Sequence, residues 1–322
     1  MKAAVYYETG SPDVFRYEEV PDPVCEPIGV VVDVQVVSIE GGDTLNRLAG
    51  AMAGTPHTVG YQCAGVISQV GSGVVDREVG QRVVCSGLHG SHAEKRAAPA
   101  ALTWVVPDDL DLPRAACVPI AVGTADDCLF EFGGLARGES VLVHAGAGAV
   151  GMAAIQLASQ AGARVIATAS SDEKLARLAE FGLDHGINYT ATDFVAAARE
   201  LTDGRGPDLV VDSVGGRTLQ GSIECAAYRG RIVSVGDAGR EDFTPDVALL
   251  RPENKTLTGI FFGAELFYNA GRVHPMVQRH LEAVADGRLH IEIDRTYPLA
   301  EAAAAHAYVE SRAAVGRVLL IP

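Results

Sequence analysis

The stretch ESVLVHAGAGAVGMAAIQLASQAGARVIATASS, residues 139–171, has the order strand, glycine-rich turn, helix and strand. Residues 140–144 (SVLVH) are a short apolar, β-branched run, which is typical of a central strand buried on both faces. Apolar residues then recur at helical spacing from Val150 to Ala161, and residues 164–168 (RVIAT) supply the next strand. A strand, a helix and a strand within roughly 30 residues make a βαβ unit. This stretch therefore predicts a parallel sheet.

The turn inside this unit has the pattern G-x-G-x-x-G, formed by Gly146, Gly148 and Gly151. Glycines at this spacing permit a tight turn, close approach of a diphosphate, and packing of the helix against the strand. We expect the N–H groups around Ala149 and Val150, at the positive end of the helix dipole, to face that diphosphate. The alternative is a turn of the same shape that binds nothing, which the strand–turn–helix context disfavours. The pattern therefore predicts a dinucleotide site.

Composition excludes several classes of protein. With 322 residues, nearly half of them apolar, the chain is long enough for two globular domains. The net charge of −15 and the absence of a basic stripe argue against a nucleic-acid partner. No apolar run is long enough to cross a membrane, and no signal-peptide core follows Met1. The six cysteines form no C-x-x-C pair or zinc spacing, so we expect a cytoplasmic protein with reduced thiols.

The segment that follows the turn repeats the alternation of strand and helix. The predicted strands are 140–144, 164–168, about 186–189, 208–212, 230–235 and 256–262, and the predicted helices are about 149–161, 172–180, 193–201 and 216–226. Such alternation is typical of a doubly wound parallel sheet with helices on both faces. The preceding segment, up to about residue 119, contains short strands separated by turns and prolines, which predicts a compact β-rich domain.

Longer motifs add a family pattern. They are GYQCAGVISQVGSGVVDREVGQRVV (60–84), VHAGAGAVGMAAIQLA (143–158), LDHGINY (183–189), PDLVVDSVGG (207–216) and ESRAAVGRVLLIP (310–322). Together they resemble the zinc-independent medium-chain dehydrogenases/reductases of the quinone oxidoreductase (zeta-crystallin-like) branch, over nearly the full length of the chain. The resemblance implies an α/β protein in which a GroES-like β-rich catalytic domain (residues 1–119, completed by 263–322) accompanies a Rossmann domain with a doubly wound parallel sheet (120–262).

The same resemblance implies how such a protein is assembled. A cleft between the two domains would hold the nicotinamide. Relatives are usually homodimers or homotetramers joined through edge strands of their Rossmann sheets, and residues 256–263 (TLTGIFFG) occupy the matching position.

Departures from the zinc-dependent relatives predict a site without metal. Those relatives carry Gly-His-Glu where this chain has GYQ (residues 60–62), a ligand cysteine near SIE (residues 38–40), and a four-cysteine lobe that is absent here. Within the zinc-independent branch an asparagine commonly lies beside the nicotinamide, where this chain has Glu40. Two further features depart from the branch: the glycines at 41 and 42, and the run AMA at 51–53, where a tyrosine is often found. These departures mean that the particular substrate of a relative cannot be assigned to this chain.

The adenine end of the predicted site favours NADPH. The second strand of the βαβ unit ends in ASS (residues 169–171), without the carboxylate that binds the ribose of NAD and repels a 2′-phosphate. The residues that the resemblance places around the 2′-phosphate of NADPH are Ser170, Lys174, Tyr189 and Arg312. A lysine, a phenol and an arginine suit a phosphate by charge and hydrogen bonding. Two alternatives remain: Lys174 is an ordinary solvated helix residue, or Asp172 holds the ribose of NAD instead of capping the next helix with Ser171.

Four further residues are candidates for the nicotinamide end. Thr124 lies in the run PIAVGTA, and Gly215, Gly236 and Phe262 close three of the predicted strand ends, where ligands bind in sheets of this kind. Each is equally well explained as an ordinary turn glycine or core residue.

The candidates for acid–base work are Glu40, Asp43, Arg47 and Tyr61. Asp43 and Arg47 are four residues apart on a predicted short helix, so we expect an ion pair that fixes the site. Burial of Glu40 in a poorly solvated cleft would raise its pKa and make it a proton donor. The alternative is a carboxylate at a strand end that faces solvent.

These observations predict an NADPH-dependent oxidoreductase that transfers hydride to a quinone or to the C=C bond of an α,β-unsaturated carbonyl, without metal. Its partner is then the small-molecule quinone or enone. Two alternatives stay open: a non-catalytic NADPH-binding protein with a structural or redox-sensing role, and a specialised enone reductase of a biosynthetic pathway.

Overall fold

The computed structural model describes residues 1–322 and divides them into two compact units. Unit 1 combines Met1–Gly123 with Gly263–Pro322, and unit 2 is Thr124–Phe262. No helix is both long enough and apolar enough to cross a membrane.

The amino-terminal part of unit 1 is mostly strand. Its strands are β1 (Lys2–Tyr6), β2 (Arg16–Glu19), β3 (Gly29–Ser38), β4 (His57–Thr58), β5 (Gln62–Val70), β6 (Arg82–Ser86), β7 (Lys95–Pro99) and β8 (Thr103–Val105). Its helices are α1 (Gly41–Ala49) and α2 (Leu112–Ala115), followed by a π-helical segment at Val118–Val122. In β3 the valines are buried while Asp33 and Gln35 are exposed, as the alternation of its sequence predicts.

Unit 2 contains the parallel sheet. The chain enters it in α3 (Gly123–Asp126), which continues as a π-helical segment at Asp127–Glu131. The strands are β9 (Ser140–Val143), β10 (Arg164–Ala169), β11 (His185–Asn188), β12 (Leu209–Asp212), β13 (Arg231–Ser234) and β14 (Thr256–Gly259); the helices are α4 (Ala149–Gln160), α5 (Asp172–Ala179), α6 (Phe194–Leu201) and α7 (Gly216–Cys225). All pairings are parallel, in the order β11-β10-β9-β12-β13-β14. The strand order reverses beside β9, the point at which such sheets bind ligands at their carboxyl ends. The predicted doubly wound sheet is confirmed.

The remaining elements complete unit 1. They are α8 (Phe262–Tyr268), α9 (Ala270–Ala285), β15 (Ile293–Pro298), α10 (Ala302–Glu310) and β16 (Arg317–Ile321). The main sheet of unit 1 has seven strands, ordered β15-β16-β3-β5-β6-β8 with β7 also paired to β3, and a second sheet has the order β2-β1-β4. Valines of β3 pack in its core with Ile67, Leu299 and Leu320. The predicted β-rich, GroES-like domain is confirmed.

One predicted strand is too long. β14 ends at Gly259, not at residue 262, and Phe262 instead begins helix α8. The pairing stops there because the neighbouring strand β13 ends at Ser234, which lies opposite Gly259. Phe262 therefore does not close a strand end.

Candidate functional site

Two of the three motif glycines are required by packing. A Cβ added to Gly146 would lie 2.9 Å from the Cβ of Ala167 and 3.0 Å from Leu178 Cδ1. A Cβ added to Gly151 would lie 2.4 Å from the carbonyl oxygen of Ala145. Real Cβ contacts are almost never this short, so these glycines let the turn and helix α4 pack against their neighbours.

Gly148 is different because only one atom lies near the position of an added Cβ. A Cβ added there would meet only the carbonyl oxygen of Ala145, at 3.2 Å, and the residue is exposed. Gly148 is the N-cap of α4, and the N–H groups of Ala149 and Val150 that follow have no acceptor within the protein. This is the arrangement that a helix N-terminus offers to a diphosphate, so the turn fits a dinucleotide.

The adenine-side residues of unit 2 meet at the carboxyl ends of β10 and β11. The register pairs Ala169 with Asn188, so Ser170 and Tyr189 follow at neighbouring positions. Helix α5 begins at Asp172, two residues after Ser170, and Lys174 lies in its first turn. Arg312 belongs to unit 1, where it is exposed and has φ +58°, and its role remains a prediction.

The cap of α5 matches its predicted form. The Ser171 side chain accepts a hydrogen bond from the backbone N–H of Lys174 at 3.3 Å. Asp172 is the first helical residue, and its Oδ1 accepts from Asn188 Nδ2 at 3.1 Å. Asp172 thus has a structural partner of its own, which weakens the alternative that it holds a ribose.

Of the nicotinamide-side candidates, Gly215 and Gly236 lie beyond the carboxyl ends of β12 and β13. Gly215 has φ +73°, a conformation that favours glycine. Thr124 is buried in α3 with 5% of its surface exposed. Phe262, in α8, is also buried. Their contacts with a cofactor remain predictions.

A buried polar network, which sequence reasoning missed, holds the turn at Gly215. Asp212 Oδ1 accepts the N–H of Gly215 at 2.9 Å, and Oδ2 accepts the Ser222 hydroxyl at 2.7 Å. That hydroxyl lies 3.1 Å from His144 Nε2, and His144 Nδ1 lies 3.1 Å from Thr168 Oγ1. Burial lowers the pKa of His144, so the imidazole is neutral. The aspartate within PDLVVDSVGG, a charge in an apolar strand, was the available signal.

In unit 1, Glu40 is buried, and its carboxylate has hydrogen-bond partners. Its carboxylate is held by the Arg317 guanidinium, with Nη1 at 3.2 Å from Oε2 and Nη2 on Oε1. Gln62 Nε2 also donates to Oε1, and Gln62 Oε1 accepts the N–H of Ile120 at 2.9 Å. Burial raises the pKa of Glu40, while the charge of Arg317 opposes that rise. Glu40 and Arg317 are each 4% exposed, so they form a buried ion pair.

The predicted ion pair between Asp43 and Arg47 is wrong. Asp43 accepts backbone N–H groups instead, from Glu40 at 2.9 Å and from Tyr61 at 3.1 Å. Arg47 donates from Nη2 to Glu310 at 2.6 Å and from Nε to a backbone oxygen at 3.2 Å. Burial raises the pKa of Asp43 to about 8, against the effect of the N–H donor of Glu40. Asp43 and Arg47 therefore bind different partners and do not bind each other.

Tyr61 presents a partly exposed phenol beside α1. Its Oη accepts a hydrogen bond from Asn46 Nδ2 at 2.9 Å. Its ring lies over Gly42, where an added Cβ would be 2.5 Å from Cε2, so the unusual glycine makes room for the ring. Burial, with a contribution from the Asp43 carboxylate, raises the pKa of Tyr61 to about 12. The phenol is therefore protonated at neutral pH and can act as a hydrogen-bond donor.

No group of three or more histidine, cysteine, aspartate or glutamate side chains is arranged to hold a metal ion. The two residues that the resemblance places at zinc-ligand positions contact other side chains: Gln62 donates to Glu40, and Tyr61 accepts from Asn46. The donor set of this chain therefore does not fit zinc.

Comparison with known proteins agrees with this architecture. The model of the alcohol dehydrogenase GroES-like domain matches residues 26–108, and that of zinc-binding dehydrogenases matches residues 149–278. A 2-haloacrylate reductase from Burkholderia sp. is 33% identical, covering 99% of this chain and 98% of its own length. A quinone oxidoreductase from Pseudomonas aeruginosa is 30% identical, covering 97% of each chain.

Solved structures give the same result. The structure of Escherichia coli quinone oxidoreductase complexed with NADPH superimposes with a TM-score of 0.94 at 26% identity, covering 100% of both chains. The chain is thus an NAD(P)H-dependent reductase of the quinone oxidoreductase and haloacrylate reductase type, and it belongs to the medium-chain dehydrogenase/reductase superfamily, in its quinone oxidoreductase branch.

Proposed function

We propose that this protein uses NADPH to reduce a quinone or the C=C bond of an α,β-unsaturated carbonyl compound, without a metal. The observation that carries the proposal is the exposed Gly148 beside the unpaired N–H groups of Ala149 and Val150, an arrangement that fits a diphosphate. The names of the relatives support the acceptor class, because haloacrylate is an α,β-unsaturated carboxylate and quinones are conjugated dicarbonyls.

Residues of unit 2 would hold the cofactor. NADPH, when bound, supplies the hydride. The α4 N-terminus would bind its diphosphate, and Ser170, Lys174 and Tyr189 would surround its 2′-phosphate, with Arg312 of unit 1 as a further candidate. Asp212 would keep the Gly215 turn in one conformation through the two backbone N–H groups that it accepts.

We assign the proton to Tyr61. Hydride addition at the β-carbon of an enone leaves negative charge on the carbonyl side, which a fixed hydrogen-bond donor stabilises. The Tyr61 phenol is protonated, partly exposed and oriented by Asn46. The Glu40 carboxylate already binds Arg317 and Gln62, the first residue of β5. We therefore assign Glu40 the role of positioning the start of β5, next to Tyr61.

We also expect this chain to form homodimers or homotetramers through β14. This strand lies at the edge of the unit 2 sheet, with one side unpaired. Exposed aromatic side chains follow it at Phe261, Phe267 and Tyr268. Unpaired strand edges and exposed aromatic side chains are both features of interaction surfaces.

Tyr61→Phe is expected to slow enone reduction by about 10²-fold or more, the usual contribution of a general acid. Quinone reduction should fall less, because a hydroquinone can take its protons from water. Affinity for NADPH, measured by fluorescence titration, should not change. Glu40→Gln is the comparison: it should affect both acceptors equally. If Glu40→Gln slowed enone reduction selectively and Tyr61→Phe left it unchanged, Glu40 would be the proton donor and Tyr61 would not.

The native protein is expected to bind NADPH more tightly than NADH, and Lys174→Glu should narrow or reverse that difference. A charge-assisted contact to phosphate contributes about 1.5–3 kcal/mol, or roughly tenfold or more in affinity. Arg177→Glu is the matched control, with the same change of charge on the same helix, and should alter the ratio much less. Equal affinity of the native protein for both cofactors would instead make Asp172 the ribose ligand.

A further inference from the structure

Two buried thiols face each other next to the candidate proton donor. Cys63 on β5 and Cys85 on β6 lie directly opposite in an antiparallel pair, and their Sγ atoms are 3.3 Å apart. Both residues are fully buried, and neither is in a disulfide. Opposed residues in antiparallel strands have Cβ atoms about 4.5–5.5 Å apart, close to the roughly 3.5–4.5 Å that a disulfide requires. A small approach of the strands would therefore allow an S–S bond.

Arg96 supplies the charge that activates such a pair. Its Nη1 lies 4.0 Å from Cys63 Sγ, and the residue is 4% exposed. Its other hydrogen bonds go to the backbone oxygens of Tyr61 at 3.0 Å and His89 at 2.8 Å. No carboxylate forms an ion pair with it, and the Asp43 carboxyl interacts with its charge only from a longer distance. A buried guanidinium that no ion pair neutralises favours a thiolate nearby.

Each thiol also shifts the pKa of the other. The hydrogen bond from Cys63 lowers the pKa of Cys85 to about 7, against the effect of burial and with help from Arg96. Burial and the same pairing raise the pKa of Cys63. The contact and the charge of Arg96 therefore favour ionisation of Cys85 over Cys63, and a thiolate is the form of cysteine that oxidants attack.

We propose that Cys63 and Cys85 are an oxidation site that hydrogen peroxide converts to an intramolecular disulfide. The Cys85 thiolate attacks one peroxide oxygen; the O–O bond breaks, and the departing hydroxide takes a proton to become water. The Cys63 thiol then attacks the resulting sulfenic sulfur, the S–S bond forms, and a second water leaves. The two thiols lose two electrons in all, and the peroxide gains them. Full burial of the pair favours an oxidant as small as peroxide over bulky disulfides.

Oxidation would act on the neighbouring site. Tyr61 and Gln62 directly precede Cys63, and Gln62 pairs with Ser86 next to Cys85. Drawing β5 and β6 together would displace the Tyr61 phenol and the Gln62 contact with Glu40. This consequence rests on the proposed function, whereas the disulfide itself does not.

The test treats the full-length protein with hydrogen peroxide, removes the oxidant, unfolds the protein and alkylates all remaining thiols. The wild type should lose two of its six reactive thiols and the mass of two hydrogen atoms, and digestion should release one linked peptide containing Cys63 and Cys85. Cys85→Ser and Cys63→Ser should each retain the four cysteines outside the pair as free thiols and release no such peptide. Retention of all six thiols in the wild type, or a link between other cysteines, would overturn the proposal.

Activity is measured on the same samples. Oxidation should lower enone reduction by the wild type and leave that of Cys85→Ser unchanged. If the disulfide formed without loss of activity, the oxidation site would be confirmed, but its proposed effect on Tyr61 would be wrong. If the reduced protein reduced no acceptor, the proposed function would fail while the thiol count would still decide the disulfide.

Discussion

Gly148→Val is expected to abolish NADPH binding while the protein stays folded. The position is exposed, and an added Cβ approaches only the Ala145 carbonyl oxygen, at 3.2 Å. The valine side chain would then occupy the space above the N–H groups of Ala149 and Val150, where the diphosphate is expected. We expect affinity to fall by more than about 100-fold, equivalent to about 2.8 kcal/mol. Fluorescence titration with NADPH measures the loss, and circular dichroism checks the fold.

Gly151→Val is the control for this experiment. It lies in the same motif, but an added Cβ would be 2.4 Å from the Ala145 carbonyl oxygen and 2.8 Å from the Gly146 Cα. Backbone atoms cannot give way cheaply, so this variant should be destabilised rather than selectively defective. A folded Gly148→Val protein that binds NADPH normally would show that the turn is not the phosphate site.

Arg317→Leu is expected to have the largest effect on stability. It leaves the Glu40 carboxylate buried without its cation, and removing one partner of a buried ion pair typically costs about 3–5 kcal/mol. Urea denaturation followed by a probe in unit 1 measures the change in the free energy of unfolding. Adding Glu40→Gln to Arg317→Leu should recover much of the loss, because no charge is then left without a partner.

Arg288→Leu is the matched control, since Arg288 also pairs with a carboxylate, that of Asp286, but at the surface. Its loss should change the free energy of unfolding little, because solvent already screens the pair. If Arg317→Leu were as mild as Arg288→Leu, the Glu40–Arg317 pair would not stabilise unit 1 as described.

Local pattern predicted the elements of unit 2 well. The central strands are short apolar runs ended by a polar residue, and two helices begin at a side-chain cap, Ser171 for α5 and Asp193 for α6. These signals lie within a few residues of the structure that they specify. The strand that was predicted too long, β14, fails because its end is set by the length of its partner β13, which the local sequence does not contain.

The candidate acid–base site was predicted less well, because its contacts join distant parts of the chain. Helical spacing suggested that Arg47 pairs with Asp43, yet its guanidinium reaches Glu310, 263 positions away. Glu40 meets Arg317 across 277 positions. The spacing of residues on one helix indicates which side chains can meet, but tertiary packing decides which do.

The three motif glycines illustrate the same limit. The motif identifies Gly146, Gly148 and Gly151 as a set and assigns them three roles. Only the structure shows which neighbours an added Cβ would meet, and hence that Gly148 is the one of the three without a contact under 3.0 Å. Likewise, nothing in the spacing of Cys63 and Cys85 indicates that the strand register places them opposite each other.

The most direct test of the proposed function follows the hydride. The purified protein is incubated with NADPH deuterated at carbon 4 of the nicotinamide and with an enone, and the product is examined by mass spectrometry and NMR. We predict that the deuterium is found on the β-carbon of the saturated carbonyl product and that solvent supplies the proton on the α-carbon. Product without deuterium, or oxidation of ethanol or benzyl alcohol as the best reaction found, would contradict it.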